Sequence, residues 1–120
     1  MMIRNARLDD LQAIVEIEQE NFSDMAASLE TMKERILTIP DTFLVAEIDG
    51  AVAGYIEGPV VPQRYLTDDL FHQVEKNPVS GGFIAVTSLS VSPCFQGQGV
   101  GTALLATMKD LAIAQKRLGI

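Results

Sequence analysis

Seven residues, Gln96-Gly97-Gln98-Gly99-Val100-Gly101-Thr102, carry the densest chemical signal in the chain. They follow an almost uncharged run, Phe83 to Val91, and open a stretch in which Leu104, Leu105, Met108, Leu111 and Ala112 recur at helical spacing. Glycine lets a backbone take positive φ and approach a ligand closely. A helix that starts at such a loop points its free N–H groups, with roughly half a positive charge, at whatever lies above them. The predicted chemistry is a phosphate cradle made of backbone, which needs no basic side chain. A Gly-rich turn that only permits tight strand–helix packing is the other reading of the same residues. A Walker loop is excluded, because no Lys-Ser/Thr pair follows the glycines. A dinucleotide fingerprint fits in part: Gly97 and Gly99 supply its first two glycines, but Thr102 stands at the third. The chain also ends before the acidic residue expected about 20 residues on.

Other reactive groups are few. Cys94 follows Pro93 just before the loop, but no His or Asn partner is apparent, so a structural or incidental role is expected. His72 is the single histidine, on a segment where it reads as a surface or packing residue. One Cys and one His exclude an internal disulfide and leave no cluster at metal-ligand spacing, so no metal is expected. Glu57, late in a strand-like run, is either an exposed strand carboxylate or a base. The net charge of -7, from 9 Lys plus Arg against 16 Asp plus Glu, argues against a nucleic-acid partner. It suits a cationic small molecule, or simply a solvated acidic surface.

These residues need a scaffold, and 120 residues with 48% hydrophobic and 21% charged side chains suffice for one soluble domain, 1–120, with a real core. No apolar run approaches the ~20 residues that span a bilayer, so no membrane partner is expected. The start, MMIRNARLDD, lacks the apolar stretch of a signal peptide, and the expected location is the cytoplasm. Residues 2–7 predict an edge strand, followed by a helix capped at Asp9 with Gln12 closing a capping box and running to about Asn21. Its inward stripe is Leu11, Ile14, Val15 and Glu18. A second helix is predicted from Ser28, carrying Leu29, Met32, Ile36 and Ile39 until Pro40 ends it.

The run FLVAEIDGAVAGYIEG predicts a hairpin turning at Asp49-Gly50, where both central residues need positive φ. Gly54 and Gly58, with Pro59 and Pro62, predict that its second strand bends or bulges as it leaves the sheet. From Arg64 to Asn77 an excursion is expected, with a short helix capped by Thr67 and Leu70, Phe71 and Val74 turned inward. Phe83 to Val91 predicts a central strand covered on both faces. Strand, loop and helix then form the first half of a crossover that normally delivers the chain to a parallel strand, and Leu118-Gly119-Ile120 lies where that strand should begin.

Gln96, Gly99 and Gly101 also match the Q/R-x-x-G-x-G/A loop of acyl-CoA-dependent transferases. With SLSVSP ahead of that loop and the order strand, two helices, Asp-Gly hairpin, excursion, strand, helix, the whole chain resembles the GNAT superfamily of N-acetyltransferases. The run GYIEGPVVPQRYLTDDLF followed by FIAVTSLSVSP looks most like the arylalkylamine N-acetyltransferase branch and its bacterial relatives. The resemblance implies an α/β fold with a mixed central sheet flanked by helices, truncated at its C-terminal side. It implies acetyl-CoA as co-substrate and transfer of its acetyl group to a primary amine of a small molecule or peptide. The backbone of Leu89, Ser90 and Val91 would pair with the pantetheine arm, and the amides of Gly97, Gln98, Gly99, Val100, Gly101 and Thr102 would hold the pyrophosphate, framed by Gln96. Bulky replacements of Gly99 or Gly101 would not be tolerated. The alternative is a non-catalytic acyl-CoA-binding or interaction module.

An amine with a pKa near 10 must lose a proton before it attacks, at a cost of about 4 kcal/mol for three pKa units. The branch's two histidine bases fall on Ala85 and Thr87 here. Candidates in their place are Glu57 acting through water, then Glu20 or His72. The family's tyrosine acid follows the next strand, and neither Tyr55 nor Tyr65 matches it. In the family's fold the cofactor wedges between the strand ending at Val91 and the strand that should follow Ile120. If the chain is complete, one cleft wall is missing. It is then an inactive fragment, part of a homodimer whose second copy supplies that edge, or shorter than its gene product. Acceptor choice is expected to rest on Phe22 to Met25 and Pro59 to Leu66.

Overall fold

A computed structural model of the chain describes residues 1–62 and 75–120. The elements that position the site are β1 (Met2–Asn5), α1 (Leu11–Phe22), α2 (Leu29–Thr38), β2 (Phe43–Ile48) and β3 (Ala51–Glu57). They are followed by β4 (Val60–Val61), β5 (Phe83–Ile84), β6 (Ser88–Val91) and α3 (Val100–Ala114). The predicted excursion helix, with Thr67, Leu70, Phe71 and Val74, lies outside the described residues.

Strands β1, β2, β3 and β6 form one antiparallel sheet in that order. Side chains alternate across it with period two. Phe43, Val45 and Tyr55 face α1 and α2 together with Ile14, Ile17, Met32 and Ile36. Leu44, Ala46 and Ile56 face α3 with Val100, Leu104, Met108 and Ala112. The sheet is therefore covered on both faces, by two helices on one side and one on the other.

Local signals in the sequence decide most boundaries. The turn at Asp49-Gly50 has φ of 52° and 81°, as its hairpin requires. Ser28 caps α2, its hydroxyl accepting the Thr31 N–H at 3.1 Å. The start of α1 differs from expectation. A 3-10 turn at Leu8–Asp10 precedes it, and Asp10, not Asp9, takes the Arg7 N–H at 2.8 Å. Asp10 also meets the Arg4 guanidinium in two hydrogen bonds of 2.8 Å, which draws the carboxylate inward, while Gln12 bonds Glu16 on the surface.

The expected bend of β3 is present as two irregularities. Opposite β2 the register slips between Ala46 and Glu47, so that Ala53 is an extra residue. Ala53 then shares the α3 face with Gly54, whose missing side chain would meet Ser90 O at 2.7 Å and Val100 Cγ1 at 3.1 Å. Past Glu57 the chain turns at Gly58 into β4, which pairs with β5.

Phe83 to Val91 is not one central strand. Ala85 N bonds Pro59 O at 2.8 Å and Thr87 N bonds Glu57 O at 2.9 Å, whereas from Ser88 onward the register against β3 is shifted by one. Thr87 and Ser88 thus both stand opposite Glu57, a bulge that separates β5 from β6. Strand β6 lies at the end of the four-strand order. The chain after α3 returns beside β5, with a parallel bridge between Phe83 and Gly119 and Ile84 N bonded to Gly119 O at 3.0 Å. The crossover expected from the sequence is therefore begun as a single parallel bridge that reaches β5 and not β6, and the four-strand sheet itself is antiparallel.

Candidate functional site

Among the described residues no strand pairs with the outer edge of β6. Ser92 donates its N–H to Ala53 O at 2.8 Å, and antiparallel alternation places Ser90 on the same side, toward β3. Leu89 and Val91 consequently turn their N–H and C=O groups outward. The Val91 carbonyl accepts from Asn21 Nδ2 of α1 at 2.9 Å and from Gln96 Nε2 at 3.4 Å. Gln96 frames the loop through that contact. The Leu89 side chain is partly exposed, and the Val91 side chain packs against the α3 core.

Beyond Val91 the chain makes a 3-10 turn at Pro93–Phe95, with the Ser92 hydroxyl accepting the Cys94 N–H at 3.4 Å, and then enters the Gly-rich loop. Gly97 and Gly99 have φ of 82° and 79°, conformations that L side chains rarely adopt. Gly99 is the N-cap of α3, so no side chain caps the helix, and its first turn holds no acidic residue. Ala103 N is the first to bond back, to Gly99 O at 3.0 Å, which leaves the N–H groups of Val100, Gly101 and Thr102 without helical partners. A side chain at Gly97 or Gly99 would meet nothing within 4 Å. An uncapped helix N-terminus under open space fits an anion such as pyrophosphate. Gly101 is different: its backbone is helical, and an added methyl would sit 3.6 Å from Val91 Cγ2, an ordinary contact.

On the α1–α2 face a cleft of about 530 Å³ begins where β6 begins. Its walls include Phe22, Met25 and Ala26 from the α1–α2 connection, and its floor includes Glu18, Arg35, Glu57, Thr87 and Ser88. Glu57 is 1% exposed, which overturns the reading of it as an exposed strand carboxylate. Its Oε2 accepts from Arg35 Nη1 at 2.8 Å and its Oε1 from Thr87 Oγ1 at 2.7 Å. Burial pushes its carboxyl above the usual value of 4.5, against the opposing pull of the Arg35 charge and the Thr87 and Arg35 hydrogen bonds. Glu18 is also buried, accepting the Tyr55 hydroxyl at one oxygen and the Ala27 N–H at the other, 2.6 Å. Burial first, then the Glu18 carboxylate, push the Tyr55 phenol far above its ordinary value, so it stays protonated and donates.

The acetyltransferase (GNAT) family pattern matches residues 9–120. The chain belongs to this family. Among curated relatives, an uncharacterized N-acetyltransferase of Methanocaldococcus jannaschii is 33% identical over 110 residues. An uncharacterized N-acetyltransferase of Bacillus subtilis is 25% identical over 132. They cover 92% and 98% of this chain, which spans only 58% and 57% of their lengths. Among solved structures, a GNAT-like decarboxylase in complex with isobutyryl-CoA superposes with a TM-score of 0.81 at 20% identity, over 99% of this chain and 65% of that one. At that identity the likeness is one of fold.

Within this GNAT domain the structure gathers the predicted binding residues, Leu89 to Val91 and Gln96 to Thr102, into one continuous strip of edge, turn and helix start. Of the candidate bases, Glu57 lines the cleft, Glu20 is exposed and absent from its lining, and His72 lies outside the described residues, as does Tyr65. Cys94 is exposed and free. Sequence reasoning placed Glu18 in the inward stripe of α1 without a role and passed over Arg35 and the side chain of Thr87. The signal was available, because Glu18 and Arg35 are opposite charges in phase with the apolar stripes of two helices laid on one sheet. Among the described residues no group of three or more His, Cys, Asp or Glu could hold a metal, and no helix is long and apolar enough to cross a membrane.

Proposed function

We propose that this GNAT domain is an acetyl-CoA-dependent N-acetyltransferase that acylates a primary amine of a small molecule or peptide. The observation that carries the reading is the continuity of the open β6 edge at Leu89 and Val91 with the uncapped start of α3. Four residues of strand cover about 10 Å, so a cleft at Ser88 and an anion cradle beyond Val91 serve the two ends of one extended ligand. The outward N–H groups of Leu89 and Val91 and the Leu89 C=O would pair with a pantetheine arm, the Val91 C=O being held by Asn21 and Gln96, and the amides of Gly97 to Thr102 would hold its pyrophosphate. The names of the two relatives and the isobutyryl-CoA bound by the structural neighbour support an acyl-CoA ligand. Bound acetyl-CoA supplies the activated acetyl thioester.

The chain's own residues do the rest. Phe22, Met25 and Ala26 line the acceptor side of the cleft. Glu57 takes the proton of the incoming ammonium through an intervening water. Its burial raises its basicity above that of a surface glutamate, in the direction a general base needs. Thr87, at one of the two positions where the arylalkylamine branch carries histidine, donates to that carboxylate. The acceptor is thus proposed only as a primary amine, and the compartment as the cytoplasm.

Two measurements test this. Acetyl-CoA at 100 times its Kd should stabilise the fold by about 2.7 kcal/mol in thermal melts, while NAD should not. Free thiol should then appear when a panel of primary amines is added. Stabilisation without thiol release would favour the acyl-CoA-binding module, and no stabilisation by acetyl-CoA would sink both readings.

A further inference from the structure

Arg35 is a buried cation that enters the sheet face from α2, on the same stripe as Met32 and Ile36. One of its nitrogens, Nη1, donates to Glu57 Oε2 at 2.8 Å and to Thr87 Oγ1 at 2.9 Å. Thr87 Oγ1 in turn donates to Glu57 Oε1 at 2.7 Å. The three groups close a ring that spans α2, β3 and the bulge before β6, and all three line the cleft. Thr87 reaches the carboxylate because the bulge sets Thr87 and Ser88 together opposite Glu57.

The geometry points to Arg35 as a positioning residue that fixes the Glu57 carboxylate at the cleft, directly at one oxygen and through the Thr87 hydroxyl at the other. This rests on the reading of Glu57 as the base. A carboxylate held at both oxygens keeps one rotamer, and in that rotamer Glu57 lines the cleft. Among the described residues, the titratable groups that face Glu57 from the packed elements are Arg35 of α2, Glu18 of α1 and, on its own strand, Tyr55, which burial and Glu18 hold protonated. Among the described residues Arg35 is therefore the cation that opposes burial at this carboxyl. Removing it strips the ionised form of its partner while burial persists, so the proton is held more tightly.

The test uses the full chain with R35M and R35K, melts to establish that each is folded, and two titrations. The first follows the Glu57 carboxyl carbon by NMR, and the second follows kcat/KM for thiol release against pH. In R35M the Glu57 midpoint should rise by about 1–3 pH units, and the acid limb of kcat/KM should move with it, roughly tenfold in rate per unit. R35K, which keeps the charge, should recover most of the shift. Should R35M not fold, T87V keeps the volume and removes one donor, and the midpoint should rise in the same direction by less. A folded R35M, or in its place T87V, with the wild-type midpoint overturns the inference. A moved midpoint beside wild-type turnover in E57Q supports the hold of Arg35 on Glu57 and removes Glu57 as the base, so the two failures are told apart.

Discussion

At the scale of single residues, two buried acids are handled in different ways. Asp10 lies under β1, where burial pushes its carboxyl up, but the Arg4 guanidinium and the Arg7 N–H outweigh this and hold it below its ordinary 3.8. A carboxyl with a lowered folded value contributes stability above its unfolded value and loses it as pH falls through the folded one. D10N should therefore be less stable than the wild type at neutral pH, with the difference shrinking to nothing as pH is lowered from about 4 downward. Urea melts at a series of pH values would show it, and a pH-independent gap would contradict the assignment. Glu57 has the opposite sign: its raised value favours the folded state most below 4.5, and that contribution declines as pH rises through the folded value. Glu18 joins α1 to β3 and to the α1–α2 connection through Tyr55 and Ala27. Y55F leaves a buried carboxylate oxygen short of its donor, and equilibrium unfolding should register a loss of about 1–3 kcal/mol.

At the scale of elements, the three glycines of the loop separate by conformation. Gly99 is left-handed at the start of α3, so G99A should cost about 1–2 kcal/mol before any ligand is considered. Gly101 is helical with room for a methyl, so G101A should stabilise the free protein by about 0.5–1 kcal/mol. Because the same methyl lies among the amides assigned to pyrophosphate, G101A should also weaken acetyl-CoA binding. Melts with and without acetyl-CoA read both effects, and parallel behaviour of the two variants would argue against the cradle. The sequence marked all three glycines as one motif. It showed the loop, the Asp49-Gly50 turn and the Ser28 cap because each is a short-range demand on φ or on one hydrogen bond. It did not show the break between β5 and β6, since a bulge is decided by the partner strand and no glycine, proline or charge interrupts Phe83 to Val91.

At the scale of the molecule, the crossing at Gly58 joins the four-strand sheet to β4 and β5. A methyl there would stand 1.8 Å from Ala85 O and 2.6 Å from Ala85 C, both backbone atoms. G58A should cost about 4 kcal/mol or more, among the large effects for a point change, and should lower the whole unfolding transition. Gly54 is the companion position, closed by Ser90 O and Val100, and the two explain why this strand carries glycines in its buried part. Gly54 lets β6 and α3 lie close on β3, which brings the backbone edge and the helix start into one strip, and Gly58 lets the chain at Ala85 and Val86 cross just beyond the end of β3.

The sequence by itself determined the hairpin, the amphipathic helices and a Gly-rich start to the last helix, because these follow from periodicity and from residues with restricted or permissive φ, while its resemblance to the GNAT superfamily implied the fold class. It also named Glu57, though with the wrong surroundings. Only the tertiary structure decided that Glu57 is buried and ringed by Arg35 and Thr87, that Glu18 holds Tyr55, and that β6 is an open edge. Those contacts join positions 22, 52, 30 and 37 residues apart in the chain. Their energies depend on which helix face meets which strand register, and no local propensity encodes that.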